Sequence, residues 1–274
     1  MSFDPERLLE PEALAPRLEA ADAPLVVDVG APERYAAAHL PGAVLVTPME
    51  LVDGRPPAAG RLPDADRLAE LATRLGLAPE REVVVYDDEG GGWAGRLAWT
   101  LTVLGHGRWA YLDGGLQAWH AAGLPLTREP GAPTPRPQTV TIRRDAIAET
   151  EDVLAALDDP EAVIWDARSP EEYAGRRRTA PRAGHVPGAR NLEWTELTDP
   201  ERALRLRPDA AERIRAAGID LDRAVITHCH SHHRSGLTWL VATLLGAPRV
   251  RAYHGSWSEW GFRDDVPVAT GDEP

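Results

Sequence analysis

One cysteine, Cys229, stands in a run of chemically active side chains: Thr227-His228-Cys229-His230-Ser231-His232-His233-Arg234-Ser235-Gly236. It is the only cysteine among 274 residues, and four of the nine histidines crowd against it. A thiol attacks as its thiolate, and a free thiol with an ordinary pKa of about 8.5 is mostly protonated near neutrality. The flanking sequence supplies what would favour the anion. An apolar run, Ala224-Val225-Ile226, leads in and predicts a strand. A helical pattern from Leu237 to Leu245 leads out. A strand, a tight loop and a helix N-terminus gather backbone N–H groups around one point. Arg234, near the end of the loop, adds a full positive charge. The expected chemistry is nucleophilic attack by Cys229, with His230, Ser231, His232, His233, Arg234 and Ser235 forming the loop that stabilises the anion. His230, His232 and His233 could also move a proton near neutrality. His228 points the other way along the strand and reads as structural. Zn²⁺ accepts Cys and His, but neighbours on one strand-to-loop turn cannot all converge tetrahedrally. No metal and no cofactor are expected.

The elements that must position this loop occur twice. Leu25-Val26-Val27-Asp28 and Ala162-Val163-Ile164-Trp165-Asp166 are apolar runs that end in a carboxylate. Pro32-Glu33-Arg34-Tyr35 recurs as Pro170-Glu171-Glu172-Tyr173, and His39-Leu40-Pro41-Gly42-Ala43 as His185-Val186-Pro187-Gly188-Ala189. Gly114-Gly115-Leu116-Gln117-Ala118-Trp119 recurs as Gly255-Ser256-Trp257-Ser258-Glu259-Trp260. Anchors repeated in one order indicate an internal duplication. Strands that alternate with helices predict an α/β fold, in which two domains each hold a mostly parallel central sheet flanked by helices. The domains are expected at 1–127 and 140–274, with a proline-rich extended linker over 128–139. Residues 6–20 predict a short helix broken near Pro11 and Pro16. Helices are also expected over 64–75 and 93–104. His39 and His185 are expected to tie turns to the backbone, Asp28 and Asp166 to cap or anchor loops, and most of the tryptophans to fill the core or the domain interface.

The two copies differ where the chemistry lies. Asp87 stands where the second half has Cys229, followed by Asp88, Glu89 and three glycines. That acidic loop offers no thiol and repels anions, so the first half reads as catalytically inactive. The second half has eight more residues between Asp166 and His185 than the first between Asp28 and His39. This insert carries Arg176, Arg177, Arg178 and Arg182. Arg182 is expected to bind an anionic substrate, with the triplet behind it.

The formal charge is −13 and every basic residue is arginine. That balance argues against a nucleic-acid or membrane partner. A single cysteine excludes an intramolecular disulfide. Residues 1–6 lack a basic region followed by an apolar one, and no apolar run approaches the ~18 residues of a membrane span. A cytoplasmic protein is expected.

Asp28-Val29-Gly30, Asp166-Ala167-Arg168, the paired His-x-Pro-Gly-Ala segments, the Cys229 loop and Tyr253-His254-Gly255-Ser256-Trp257-Ser258-Glu259-Trp260-Gly261 together resemble the tandem-domain rhodaneses. These are the thiosulfate and 3-mercaptopyruvate sulfurtransferases, and the resemblance covers nearly the whole chain. It implies two rhodanese-like domains, with an inactive N-terminal one. It also implies a C-terminal Cys229 that carries sulfane sulfur as a persulfide. The donor would be thiosulfate or 3-mercaptopyruvate, and the acceptor a thiol, protein thiols included, or cyanide. The loop departs from the family's patterns. Cys-His-Ser-His-His-Arg replaces Cys-Arg-Lys-Gly-Val-Thr or Cys-Gly-Ser-Gly-Val-Thr, with His232 at the glycine. Glu172 stands where the mercaptopyruvate enzymes carry an arginine, and Arg182 matches their second arginine. Related folds that act as phosphatases or arsenate reductases need Cys-x5-Arg. Here Cys229 to Arg234 is one residue shorter, which favours attack on sulfur. A non-catalytic sulfur-carrier module is the remaining alternative.

Overall fold

Strands buried on both faces read as unbroken apolar runs, because a parallel sheet carries helices on each side. A computed structural model describes residues 1–274. Its first half runs β1 (Leu8–Leu9), α1 (Pro11–Leu14), β2 (Leu25–Val29), α2 (Pro32–Ala37), β3 (Val44–Val46), α3 (Ala65–Leu75), β4 (Val83–Tyr86), α4 (Gly92–Val103), β5 (Trp109–Leu112) and α5 (Gly115–Ala121). The second half begins β6 (Ile147–Ala148), α6 (Thr150–Ala156), β7 (Ala162–Asp166), α7 (Pro170–Tyr173) and β8 (Arg190–Asn191). It continues through β9 (Thr198–Asp199), β10 (Arg205–Leu206), α8 (Ala210–Ala216), β11 (Ala224–His228), α9 (Arg234–Leu244), β12 (Arg249–Tyr253) and α10 (Ser256–Trp260).

Each half forms one five-stranded sheet, in the orders β1-β5-β4-β2-β3 and β6-β12-β11-β7-β8. Every pairing within both sheets is parallel. The orders correspond strand for strand, so β11 occupies the central place that β4 holds in the first half. Among the paired strands only the short β9–β10 ribbon, between β8 and α8, is antiparallel.

The helix expected over 6–20 is a correction. Leu8–Leu9 is a strand on β5, and only Pro11–Leu14 is α-helical, followed by a 3₁₀ turn over Ala15–Glu19. Pro11 fits a helix only in its first turn, so the helix cannot reach back over the leucines. The proline-rich segment contains no helix. It lies along the first half, where Gly131 N–H donates to the Ala43 carbonyl (2.8 Å) and Arg136 N–H to that of Thr73 (3.0 Å).

The halves meet helix to helix, α4 against α9. Both are buried on nearly all sides, as helices without a polar face must be. One apolar cluster runs through the contact and joins Leu97, Trp99 and Trp109 to Leu237, Trp239 and Leu240. A Cβ on Gly95 would lie 2.3 Å from the Gly236 carbonyl oxygen, and one on Gly236 would lie 2.4 Å from that of Gly92. Only glycine permits this approach of two backbones. Gly236→Ala is therefore expected to cost about 2 kcal/mol or more, as overpacking against backbone does. Calorimetry should show a lower Tm; an unchanged Tm would contradict the close crossing.

Candidate active site

Strands β7 and β11 lie side by side, with Asp166 opposite His228 at their carboxyl ends. From this pair the chain departs to opposite edges of the sheet, the switch point at which open α/β sheets form a crevice. Cys229 follows directly and is 1% exposed. Burial alone pushes its thiol up. The charge of Arg234, the Ser235 hydroxyl and the N–H groups of Ser235 and Ser231 together outweigh this, so the thiol lies below its ordinary value.

Arg234 opens α9, and a carboxylate fixes it. Its Nη1 and Nη2 donate to Glu172 Oε2 and Oε1 at 2.5 and 2.9 Å. Glu172 is itself held in the first turn of α7, where it forms a capping box with Ser169. Burial raises the Glu172 carboxyl, and the Arg234 contact more than reverses that, leaving it below the usual range.

His232 explains the family glycine at its position. Its φ is +54°, the left-handed region that glycine enters freely and histidine more rarely. The ring is fully buried, its Nδ1 2.8 Å from Ser235 Oγ and its edge set against Trp99 of the other half (centroids 4.5 Å apart). The loop backbone is pinned from α10, where Ser256 Oγ accepts from the N–H of His232 (3.1 Å) and of Cys229 (3.4 Å). His233 turns away to Glu89 of the first half and stacks on Trp93 (4.4 Å). His230 is half-buried, its Nδ1 unpartnered; burial and Arg234 lower its pKa. His228 is buried, with Nε2 3.7 Å from Asp166. The imidazoles thus diverge, and no three His, Cys, Asp or Glu side chains converge as metal ligands would.

The structure does not bring Arg182 to this group. Its Nη1 donates to the carbonyls of Arg263 (2.5 Å) and Val266 (2.7 Å), which ties down the C-terminal segment. Arg176 pairs with Asp272, and Arg178 donates to the Ala180 carbonyl. The triplet is exposed. The loop's arginine donates instead to Glu172, the residue that departs from the mercaptopyruvate pattern.

Arg96 on α4 is an unanticipated neighbour. It is fully buried, and its bonds go only to carbonyls: Leu51 (2.6 Å), Gly60 (2.8 Å) and, at 3.5 Å, His232 of the Cys229 loop. Burial lowers its pKa to about 9, and an anionic Cys229 opposes that shift. The sequence did hold a signal, because Arg96 is the only charge in the apolar run 92–103.

In the first half, Asp87 fills the corresponding place. Its carboxylate accepts from the N–H groups of Gly91 (2.8 Å), Ala94 (2.9 Å) and Glu89 (3.2 Å). Burial, then Glu89, raises it to about 6 against those donors. The N–H ring at this strand end is occupied by the chain's own carboxylate.

The model of the rhodanese-like domain matches residues 10–122 and 149–262. A thiosulfate sulfurtransferase of Pseudomonas aeruginosa is 51% identical over 261 residues, which is 95% of this chain and 96% of that protein. A 3-mercaptopyruvate sulfurtransferase of Escherichia coli is 31% identical over 86% of this chain and 85% of that protein. The crystal structure of an anaerobic ergothioneine biosynthesis enzyme from Chlorobium limicola superposes with a TM-score of 0.85 at 21% identity. It covers 97% of this chain and 70% of its own, a likeness of fold. Matched in both halves and half-identical to such an enzyme almost end to end, the chain belongs to the rhodanese family of sulfurtransferases.

Proposed function

We propose that the protein transfers sulfane sulfur from thiosulfate to a thiol or cyanide through a persulfide on Cys229. The carrying observation is a buried thiol held below its ordinary value by Arg234, Ser235 and loop N–H groups. The Cys229 thiolate attacks the outer sulfur of thiosulfate. The S–S bond to the sulfonate breaks, and sulfite leaves with its electron pair. The acceptor, a thiolate or cyanide, then attacks the outer sulfur of the persulfide and returns the thiolate. Two half-reactions imply ping-pong kinetics. The same donors face a single negative charge in both resting states, so nothing need reorganise between them.

Thiosulfate is favoured over 3-mercaptopyruvate by Glu172. A carboxylate stands where the mercaptopyruvate pattern places an arginine, and it engages Arg234 through both oxygens. A donor carboxylate would meet repulsion there. The closer likeness to the Pseudomonas thiosulfate enzyme points the same way. The first half is proposed to be inactive, since Asp87 fills its N–H ring and the chain has no second thiol. We place the reaction in the cytoplasm, where a lone thiol stays reduced. No helix is long and apolar enough to cross a membrane.

Two measurements check this. After mixing with thiosulfate alone, one sulfite per protein should appear in a burst, and mass spectrometry should find one extra sulfur on the Cys229 peptide. Repeated turnover should follow when cyanide is added. Cys229→Ser should show none of this, and a wild-type protein that gains no sulfur would sink the proposal. Arg234→Gln should raise the pH midpoint of Cys229 alkylation by about one unit. It should also cost ~2 kcal/mol of stability, because Glu172 keeps its buried charge without a partner. Glu172 lies below its ordinary value, so the stability it contributes is present above the usual glutamate range. It is lost as the pH falls through the lowered value. Denaturation of the two proteins should therefore converge in acid, and a pH-independent gap would contradict the pairing.

A further inference from the structure

Ser235 Oγ has one proton to give. Its polar neighbour is His232 Nδ1 at 2.8 Å, and the Ser235 side chain favours the anionic form of Cys229. A thiolate can only accept, so a hydroxyl that favours it turns its proton toward sulfur, and the ring nitrogen then brings a proton of its own. We infer that His232 is a positioning residue: held as its Nδ1–H tautomer, it donates to Ser235 Oγ and turns the Ser235 hydroxyl proton onto the Cys229 thiolate. This rests on the reading of Cys229 as the nucleophile.

The geometry leaves the ring little else to do. The left-handed backbone at His232 folds the imidazole back over the start of α9. The ring is fully buried, and its Nε2 has no partner, so no second hydrogen bond fixes the opposite tautomer. Edge-on contact with Trp99 confines the ring from the side of the first half. The titratable groups around it are Arg96 on α4, His254 after β12 and His233 in the loop. Burial strongly opposes a second proton on the ring, and these groups, none of them a carboxylate, add to that. The ring is thereby favoured as a neutral donor. Thr227 and Thr238 hold the Ser235 carbonyl at 3.4 and 3.2 Å, which leaves the hydroxyl as the mobile part that the imidazole must orient.

The test is the pH midpoint of Cys229 alkylation by iodoacetamide, which needs no donor and no turnover. A wild-type midpoint below that of a free thiol, together with sulfur loading from thiosulfate, decides the parent reading separately. His232→Gly keeps a residue suited to the backbone and removes the ring; Ser235→Ala removes the hydroxyl. Each should raise the midpoint by about half a unit to one unit. The double variant should move no further than the larger single one. His232→Asn tolerates the same backbone and offers an amide N–H near the place of Nδ1, so its midpoint should stay close to wild type. Thermal melts show which variants fold, and His232→Ala stands in if the glycine variant does not. ¹⁵N NMR of the wild-type ring should find Nδ1 protonated and Nε2 bare. An unchanged midpoint without the ring, additive shifts in the double variant, or the reverse tautomer would each overturn the role.

Discussion

The backbone-to-backbone crossing of α4 and α9 is the constraint on which the site depends. Gly92, Gly95 and Gly236 let the two helices touch near their N-termini, and these are the ends at which the Asp87 and Cys229 loops arrive. Elements of the first half thereby reach the second half's loop. Glu89 meets His233, Arg96 meets the His232 carbonyl and Trp99 confines the His232 ring. Gly60 serves the same approach from another side, since a Cβ there would lie 2.0 Å from the Ser231 carbonyl oxygen. The first half, which has no cysteine, thus supplies a wall and a cation to the Cys229 loop.

The duplication is visible in small devices as well as in strand order. Tyr35 stacks on His39, and that histidine's Nδ1 meets the Tyr35 carbonyl. Tyr173 and His185 do the same, with ring centroids 3.7 Å apart. The divergence that bears on the site lies in charges at the carboxyl ends of the strands. In the first half Arg34, six residues after Asp28, pairs with that aspartate. In the second half Arg168 takes over Asp166 at 2.6 Å, under the face of Trp257. The residue six positions on is then free to be Glu172 and to hold Arg234. One exchange of sign at one repeated position separates an ion pair closed on the strand-end aspartate from one that fixes the arginine of the Cys229 loop.

Much of this was legible in the sequence because it rests on local chemistry. Apolar runs gave the central strands, the repeated anchors gave the two sheets, and the cysteine followed by Arg234 gave the loop. The leucines at 8 and 9 read as helix in the sequence because their strand exists only through pairing with β5, about a hundred residues away. Arg182 looked available because nothing near it in sequence competes for its guanidinium; the carbonyls of Arg263 and Val266 arrive through tertiary folding. Arg96 was the converse case. A lone charge in an apolar helix was plain to see, but its partner loop belongs to the other domain. The histidines could be counted from the sequence, but not the direction of each ring. Direction depends on a positive φ at His232 and on Glu89 and Trp93 of the other half at His233.

The charges at the site can be balanced side chain by side chain. Asp166 matches Arg168, and Glu172 matches Arg234. Arg96 has only carbonyls, so it is the one cation near the loop without a carboxylate. A buried guanidinium in that condition is unstable as a cation, which its lowered pKa reflects, and an anion within reach relieves it. In the proposed cycle that anion is the Cys229 thiolate before sulfur arrives and the persulfide afterwards, one negative charge in either state. Thiosulfate enters with two charges and sulfite leaves with two, so the resting balance is restored at each half-reaction. A site fixed by helix crossings and bidentate pairs can therefore serve both covalent states without moving.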